Sequence, residues 1–285
     1  MIPHVFDFSC LLLAATENAD SAKLLAPWQV AIAVAMILVC GAISLALRLG
    51  LERRLFVASL RTVVQLVLIG FVLEWIFRAE DWHIILFVML VMSLIAGLAA
   101  VQRNERRYRG IQLDSIISVW ASSWIVTAVA LGAIVQPDPW YKAQYAIPLL
   151  GMILGNTMNG IALGMDRLGE QLESGRDGVE TLLALGATRW EAARQPIQQA
   201  VRTGMIPTLN TMMVVGLVSL PGMMTGQMLS GALPSNAVKY QIVIMFLIAA
   251  GAALGTVSVV LLGYRRLFNA NHQFLSARLV KTKRG

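Results

Sequence analysis

An all-α, polytopic membrane bundle is the fold class this sequence predicts, and three observations predict it. Charged residues make up only 14% of its 285 residues and hydrophobic ones 57%, where a soluble domain carries roughly 25% charged residues. Mean hydropathy is +0.69. The apolar residues fall into runs matched to a bilayer, since about 20 residues rising 1.5 Å each cover a hydrocarbon core of about 30 Å. Lys and Arg alternate in density between successive inter-run segments. A soluble enzyme, a disordered tail protein and a disulfide-stapled secreted domain are excluded by composition alone. Cys10 and Cys40 lie 30 residues apart and fit neither a metal-ligand spacing nor a disulfide framework.

Seven runs are long enough to span: 28–47, 55–77, 84–102, 115–135, 144–165, 204–220 and 240–264. The sixth is unusual. Apolar residues continue from Leu220 through Pro221 and Gly222 to Leu233, too far for one span and not far enough for two. A spanning helix followed by a broken or re-entrant piece is the expectation there.

The segments after spans 1, 3 and 5 and the C-terminal tail hold 18 of the 23 Lys and Arg residues. The N-terminus and the other loops hold one each: Lys23, Arg78, Lys142 and Lys239. Positive residues stay cytoplasmic, so the N-terminus is predicted outside and the C-terminus inside, which an odd number of spans requires. Three regions follow: an external tail at 1–27, a transmembrane domain at 28–264 with a cytoplasmic loop at 166–203, and a basic cytoplasmic tail at 265–285. The cluster Arg103–Arg109 is expected to be a topology signal touching anionic lipid head groups rather than a nucleic-acid patch.

Enzymatic signatures are absent. His4, His83 and His272 fall in three separate extramembrane segments, and no HExxH, paired CxxC, GxSxG or P-loop occurs. Of 16 acidic residues only Glu74 falls within an expected span, which argues against a mid-membrane proton or sodium relay. Arg61, two turns into span 2, either snorkels to the cytoplasmic face or serves as a gating or structural partner.

The one long polar loop carries a legible local structure. A helix containing Glu180, Leu182, Leu183 and Leu185 runs up to Gly186, where glycine caps in the left-handed region. Thr188 opens a second helix and Glu191, three residues on, completes a capping box. Leu182, Leu183, Leu185 and Trp190 then give a helix-turn-helix element an apolar surface. That surface either packs back on the bundle or enters a groove on a cytoplasmic partner.

Glu180, then Gly186 six residues on, then Ile206-Pro207 resembles the EAA loop of ABC-transporter permeases. The spacing beyond the glycine is longer here, and Thr181 and Leu182 stand where that loop has two alanines. A wider resemblance covers residues 28–275: Arg61-Thr-Val-Val-Gln65-Leu, Pro148 to Asn159, Leu183 to Thr188, Leu220 to Gln227, and Tyr240 to Phe246. Together these are similar to the FetB-type iron-export permease family, which also contains plant aluminium-tolerance permeases. The resemblance implies a permease that is not itself an ATPase and binds no cofactor of its own. Two copies, a homodimer, would pair with two cytoplasmic ABC ATP-binding subunits of the FetA type, which hold the ATP and Mg. Glu180, Gly186 and their neighbours would be the ATPase-coupling element. Iron would be the cargo, and protection from iron-dependent oxidative stress the outcome. An organic solute such as a nucleotide sugar, or a non-transporting scaffold that binds the ATPase, are the alternatives.

Polar residues inside spans mark the expected substrate path: Gln65, Asn156, Asn159, Asn210 and Gln227, with Met223 and Met224 beside Pro221-Gly222. Interhelical hydrogen bonding is the other role open to the amides. No metal-ligand set stands out, because thioethers suit Cu(I) better than iron. Gly151, Gly155, Gly160 and Gly164 in span 5, and Gly251 and Gly255 in span 7, are expected to let helices approach closely.

Overall fold

The computed structural model describes residues 27–79, 81–104 and 106–281, so the expected external tail lies almost wholly outside the described residues. Nine α-helices are found among those residues: α1 Pro27–Ala46, α2 Glu52–Ala79, α3 Trp82–Gln102, α4 Ile111–Val129, α5 Ala143–Ser174, α6 Arg176–Ala184, α7 Arg189–Val214, α8 Gly222–Leu229 and α9 Pro234–Leu267. A π-helical stretch, Ala130–Val135, prolongs α4. Strands β1, Arg106–Tyr108, and β2, Leu279–Lys281, pair antiparallel with Arg107 opposite Val280. The chain is an all-α multi-pass membrane protein carrying this one small ribbon.

Among the described residues six helices are long and apolar enough to cross a membrane: α1, α2, α3, α4 with its extension, α5 and α9. The sixth expected span, 204–220, is not an independent helix. Its first part is the end of α7, which begins fifteen residues earlier at Arg189 and stops at Val214. The polar start of α7 dilutes its hydropathy, although 26 residues at 1.5 Å each reach about 39 Å. The chain breaks where expected. It turns through Val215–Ser219, with Gly216 at φ +81°, and the eight residues of α8 cover only about 12 Å.

The chain falls into two units. The first comprises Met1–Ala79 and Gly222–Val238. Within it α1 packs on α2, and Ser44 pins the intervening turn. Its Oγ donates to Glu52 Oε2 at 3.1 Å and accepts from the Leu51 amide at 3.1 Å. Most apolar side chains of α1 and α2 remain exposed, the surface a lipid-facing helix presents.

The second unit comprises Glu80–Pro221 and Lys239–Gly285, and α5 is its centre, with α3, α4 and α7 packed on it. Four of the expected glycines are where helices nearly touch. A Cβ at Gly160 would lie 3.1 Å from the Gly204 carbonyl oxygen of α7, and one at Gly164 2.9 Å from Thr256 Cγ2 of α9. Cβ atoms at Gly251 and Gly255 would meet Ile153 at 2.8 Å and Thr157 at 2.5 Å on α5. Gly155 faces open space, and Gly151 has only ordinary contact with Met92.

Asp114 corrects the expectation that Glu74 is the only acidic residue in a span. It sits in the first turn of α4 with 2% of its surface exposed, where the helix N-terminus favours a carboxylate. Arg266 of α9 grips it with Nε at 3.0 and 2.9 Å from the two oxygens and Nη2 at 3.0 Å. Gly110, at φ +93°, makes room: a Cβ there would lie 2.8 Å from the Arg266 Cζ. Burial first, and then the Asp114 carboxylate, push the Tyr108 phenol well above its ordinary value. The basic cluster is thus partly built into the fold. Tyr108 is buried, Arg106 pairs with Glu173 of α5, and Arg103 donates to Asn159.

Candidate functional site

The helix-turn-helix forms as its sequence demands. Helix α6 ends at Ala184, and Gly186 follows at φ +95°. The Gly186 amide donates to Leu183 O at 3.1 Å and the Ala187 amide to Leu182 O at 3.0 Å. This is the paired closure that satisfies the last carbonyls of a helix and needs a left-handed residue at the glycine. Thr188 then caps α7. The Glu191 amide donates to Thr188 Oγ1 at 3.3 Å, and the Thr188 amide donates to Glu191 Oε2 at 2.7 Å. Two orphan amides are satisfied reciprocally.

The hydrogen bond from the Thr188 hydroxyl, then the one from its amide, hold the Glu191 carboxyl below the ordinary glutamate range. A carboxyl lowered by folding contributes stability that is fully present above its unfolded value, about 4.3, and is lost as pH falls through the lowered folded value. Amide-exchange protection of Thr188, whose N–H the Glu191 carboxylate accepts, is therefore expected to persist somewhat below pH 4.3 and then to fall. Thr188→Ala is expected to cost about 1 kcal/mol of local stability, and protection unchanged in that variant would contradict the cap.

The turn points its apolar side chains outward. Leu185 is 80% exposed, Leu182 45% and Trp190 48%, while Leu183 is half-buried. Glu180 pairs with Arg176 one turn back at 2.7 Å on the open surface. Of the two roles open to this surface, packing on the bundle is taken by one edge only. The Trp190 ring meets Tyr264 of α9 edge-on, centroids 5.7 Å apart, and the row continues to Phe268 and Phe274. The Arg189 amide donates to His272 Nδ1 at 2.9 Å and its Nη1 to the Asn269 carbonyl at 3.1 Å. The segment expected to be a plain basic tail is thus a brace under the turn, and the leucines stay free of it.

The expected path residues divide between the two units. Gln65 and Arg61 are exposed on α2 of the first unit, which also holds half-buried Met223, Met224 and Gln227 on α8. Asn210 is exposed on α7. Asn156 donates to Met152 O of its own helix at 2.9 Å, and Asn159 accepts from Arg103. These bonds engage the Asn156 amide nitrogen and the Asn159 amide oxygen. Among the described residues no group of three or more His, Cys, Asp or Glu side chains could hold a metal ion. Sequence reasoning missed Asp114, Arg266 and the brace at 264–274. One signal was available for the first: Asp114, Ser118 and Ser122 recur at intervals of four on an otherwise apolar helix.

A model of the uncharacterised protein family UPF0014 matches residues 27–268. The UPF0014 membrane protein slr1647 of Synechocystis sp. is 43% identical over 227 residues, 80% of this chain and 88% of that protein. The probable iron export permease protein FetB of Escherichia coli is 32% identical over 253 residues, 89% and 96% of the two chains. The protein ALUMINUM SENSITIVE 3 of Arabidopsis thaliana is 32% identical over 243 residues, 85% and 88%. No solved structure matches. With a family model covering most of its length and relatives aligned nearly end to end, the chain belongs to the uncharacterised protein family UPF0014.

Proposed function

We propose that this chain is the permease subunit of an ATP-driven exporter, oriented N-out and C-in in a bacterial inner membrane. Two copies pair with two cytoplasmic ABC ATP-binding subunits of the FetA type, which carry the ATP and Mg. The cargo is iron, and its removal limits iron-dependent oxidative damage. The relative named as a probable iron export permease supports the cargo. The membrane domain is 28–264, with the coupling loop at 166–203.

The observation that carries this reading is the coupling turn. Leu182 and Leu185 stand exposed on a turn closed at both ends by hydrogen bonds and braced by Trp190 on Tyr264. Exposed apolar side chains on a rigid polar segment mark an interaction surface, and one helix face in a partner's groove is a recurrent mode of recognition. Helix α7 then runs unbroken from that turn to the crossing at Gly204. A displacement of the turn by the ATPase therefore reaches the bundle through one continuous helix, which carries Pro196 and Pro207 in its interior, rather than a chain of loops.

Leu185→Glu and Glu180→Arg test it. Leu185 is mostly exposed, and an open Glu180–Arg176 pair is worth about 0–1 kcal/mol, so neither change disturbs the fold. Each is expected to lower the ATPase recovered with the chain about tenfold or more, the effect of losing about 1.4 kcal/mol of binding, with membrane insertion unchanged. Recovery of the ATPase at wild-type levels with both variants would overturn the coupling assignment.

A further inference from the structure

Helices α4, α5 and α9 meet along a seam within the second unit. At one end Val126, Ala130, Ile153 and Leu247 form a buried apolar cluster. At the other, Asp114 of α4 is held by Arg266 of α9. Between these ends Ser118 and Ser122 of α4, Thr157 of α5 and Thr256 of α9 are each at most 3% exposed. Ser122 Oγ and Thr157 Cγ2 both close on Gly255 of α9, at 3.0 and 2.5 Å from where its Cβ would be. Thr256 Oγ1 stands 2.7 Å from a Cβ at Gly160 of α5. Asp114, Ser118 and Ser122 recur four residues apart over about 12 Å of α4. That line faces α9 at both its ends, through Arg266 and through Gly255.

The hydroxyls of this seam are closed off and mostly unused. Ser122 donates to Ser118 O at 2.6 Å, the ordinary bond of a helical hydroxyl to the turn before it. The hydroxyls of Ser118, Thr157 and Thr256 have no hydrogen-bond partner among the described residues. Each is unfavourable where it stands, and an apolar side chain of the same shape would pack there without that cost. Bonding between helices, the usual role of hydroxyls in a membrane, is not what these three do. Their partners belong to another arrangement of the three helices. The surfaces in contact suit such a change, because packed helices move by small sliding and Gly160, Gly251 and Gly255 put no side chain in the way.

We propose that this seam is the closed form of a cation path: α9 separates from α4 and α5 during transport, and the freed hydroxyls replace part of the cargo's water shell. The proposal rests on the permease reading and names the path that reading needs. Asp114 is the one fully buried carboxylate among the described residues, and ionisable residues inside a membrane domain mark ion pathways. Oxygen ligands suit hard cations. In the closed form the Asp114–Arg266 pair seals one end and the apolar cluster the other. Helix α7 supplies the link to the ATPase. Where it crosses at Gly204, a Cβ would lie 2.5 Å from Thr256 Cγ2 and 3.2 Å from Thr256 Oγ1, so movement of α7 acts on α9 at the seam itself.

The experiment uses the full chain with its ATPase in inverted membrane vesicles, with Cys10 and Cys40 changed to Ala so that one introduced cysteine is read at a time. Ser118→Cys and Thr157→Cys are expected to react slowly with 2-aminoethyl methanethiosulfonate at rest. During ATP hydrolysis they are expected to react about tenfold faster, as when an open form rises from about 1% to about 10% of molecules. Ile116→Cys is the control. Its Cγ1 lies 2.9 Å from a Cβ at Gly97 of α3, away from the seam, and its rate is expected to stay constant. Thr157→Val combined with Thr256→Val removes two orphan hydroxyls and keeps their shape. Its Tm is expected to be unchanged or raised while ATP-driven iron uptake falls about tenfold, the scale of one to two net hydrogen bonds. A merely structural role would not separate the two. Iron uptake by the unaltered complex with both cysteines indifferent to ATP would overturn the path and leave the permease reading standing, as would full uptake by the double valine variant. No iron uptake by an unaltered complex that hydrolyses ATP would overturn the iron reading, and the cation path with it.

Discussion

Arg266→Met is expected to destabilise the protein by about 3–5 kcal/mol, the cost of stranding a buried charge by removing its partner. The asymmetry of the pair makes the prediction specific. Asp114 is 2% exposed and the Arg266 side chain 42%, so an unpaired arginine can still reach polar surroundings while an unpaired aspartate cannot. Asp114→Leu is therefore expected to cost clearly less than Arg266→Met. The double variant is expected to recover much of the loss, since an apolar pair can replace a buried ion pair without penalty. Unfolding free energies in mixed micelles check the order. Equal losses from the two single variants would contradict the burial-based account of the pair.

Gly204→Val is the second large effect. A Cβ at Gly204 would stand 2.6 Å from the Gly160 carbonyl oxygen and 2.5 Å from Thr256 Cγ2. Neither neighbour is a flexible side-chain end, so α5, α7 and α9 must separate at their crossing. Overpacking of this kind costs about 1–3 kcal/mol or more. Because α7 also carries the turn proposed to meet the ATPase, the variant is expected to lose ATP-driven transport while still binding the ATPase. Gly155→Ala is the internal control: its Cβ would meet nothing within 4 Å, and removing a helical glycine is expected to gain about 0.5–1 kcal/mol. A Gly204→Val protein as stable as the Gly155→Ala one would contradict the close crossing.

These two sites show what a sequence does and does not disclose. The close approaches at Gly160, Gly164, Gly251 and Gly255, though not the one at Gly204, and the capped turn at 186–191 were legible because their signals are local. A four-residue spacing of small residues, or Thr188 with Glu191 three positions on, carries its physics within one or two turns. The Asp114–Arg266 pair was not legible, since its partners are 152 residues apart and Asp114 sits one residue before the expected start of its span. Strand β2 is three residues long, too short for any periodicity to mark. Helix α7 eluded a hydropathy ruler because its polar start and apolar end belong to one continuous helix. Nor were the partners of the candidate path residues legible: Asn156 and Asn159 share a helix three residues apart, and their hydrogen bonds depend on where Met152 O and Arg103 lie.

The most direct measurement of the central claim is iron accumulation in inverted membrane vesicles containing this chain and its ATPase. ATP-dependent accumulation is expected with the active pair, and none with a hydrolysis-deficient ATPase or with Leu185→Glu in the coupling turn. Vesicles in which the assembled complex hydrolyses ATP yet accumulates no iron would contradict iron export.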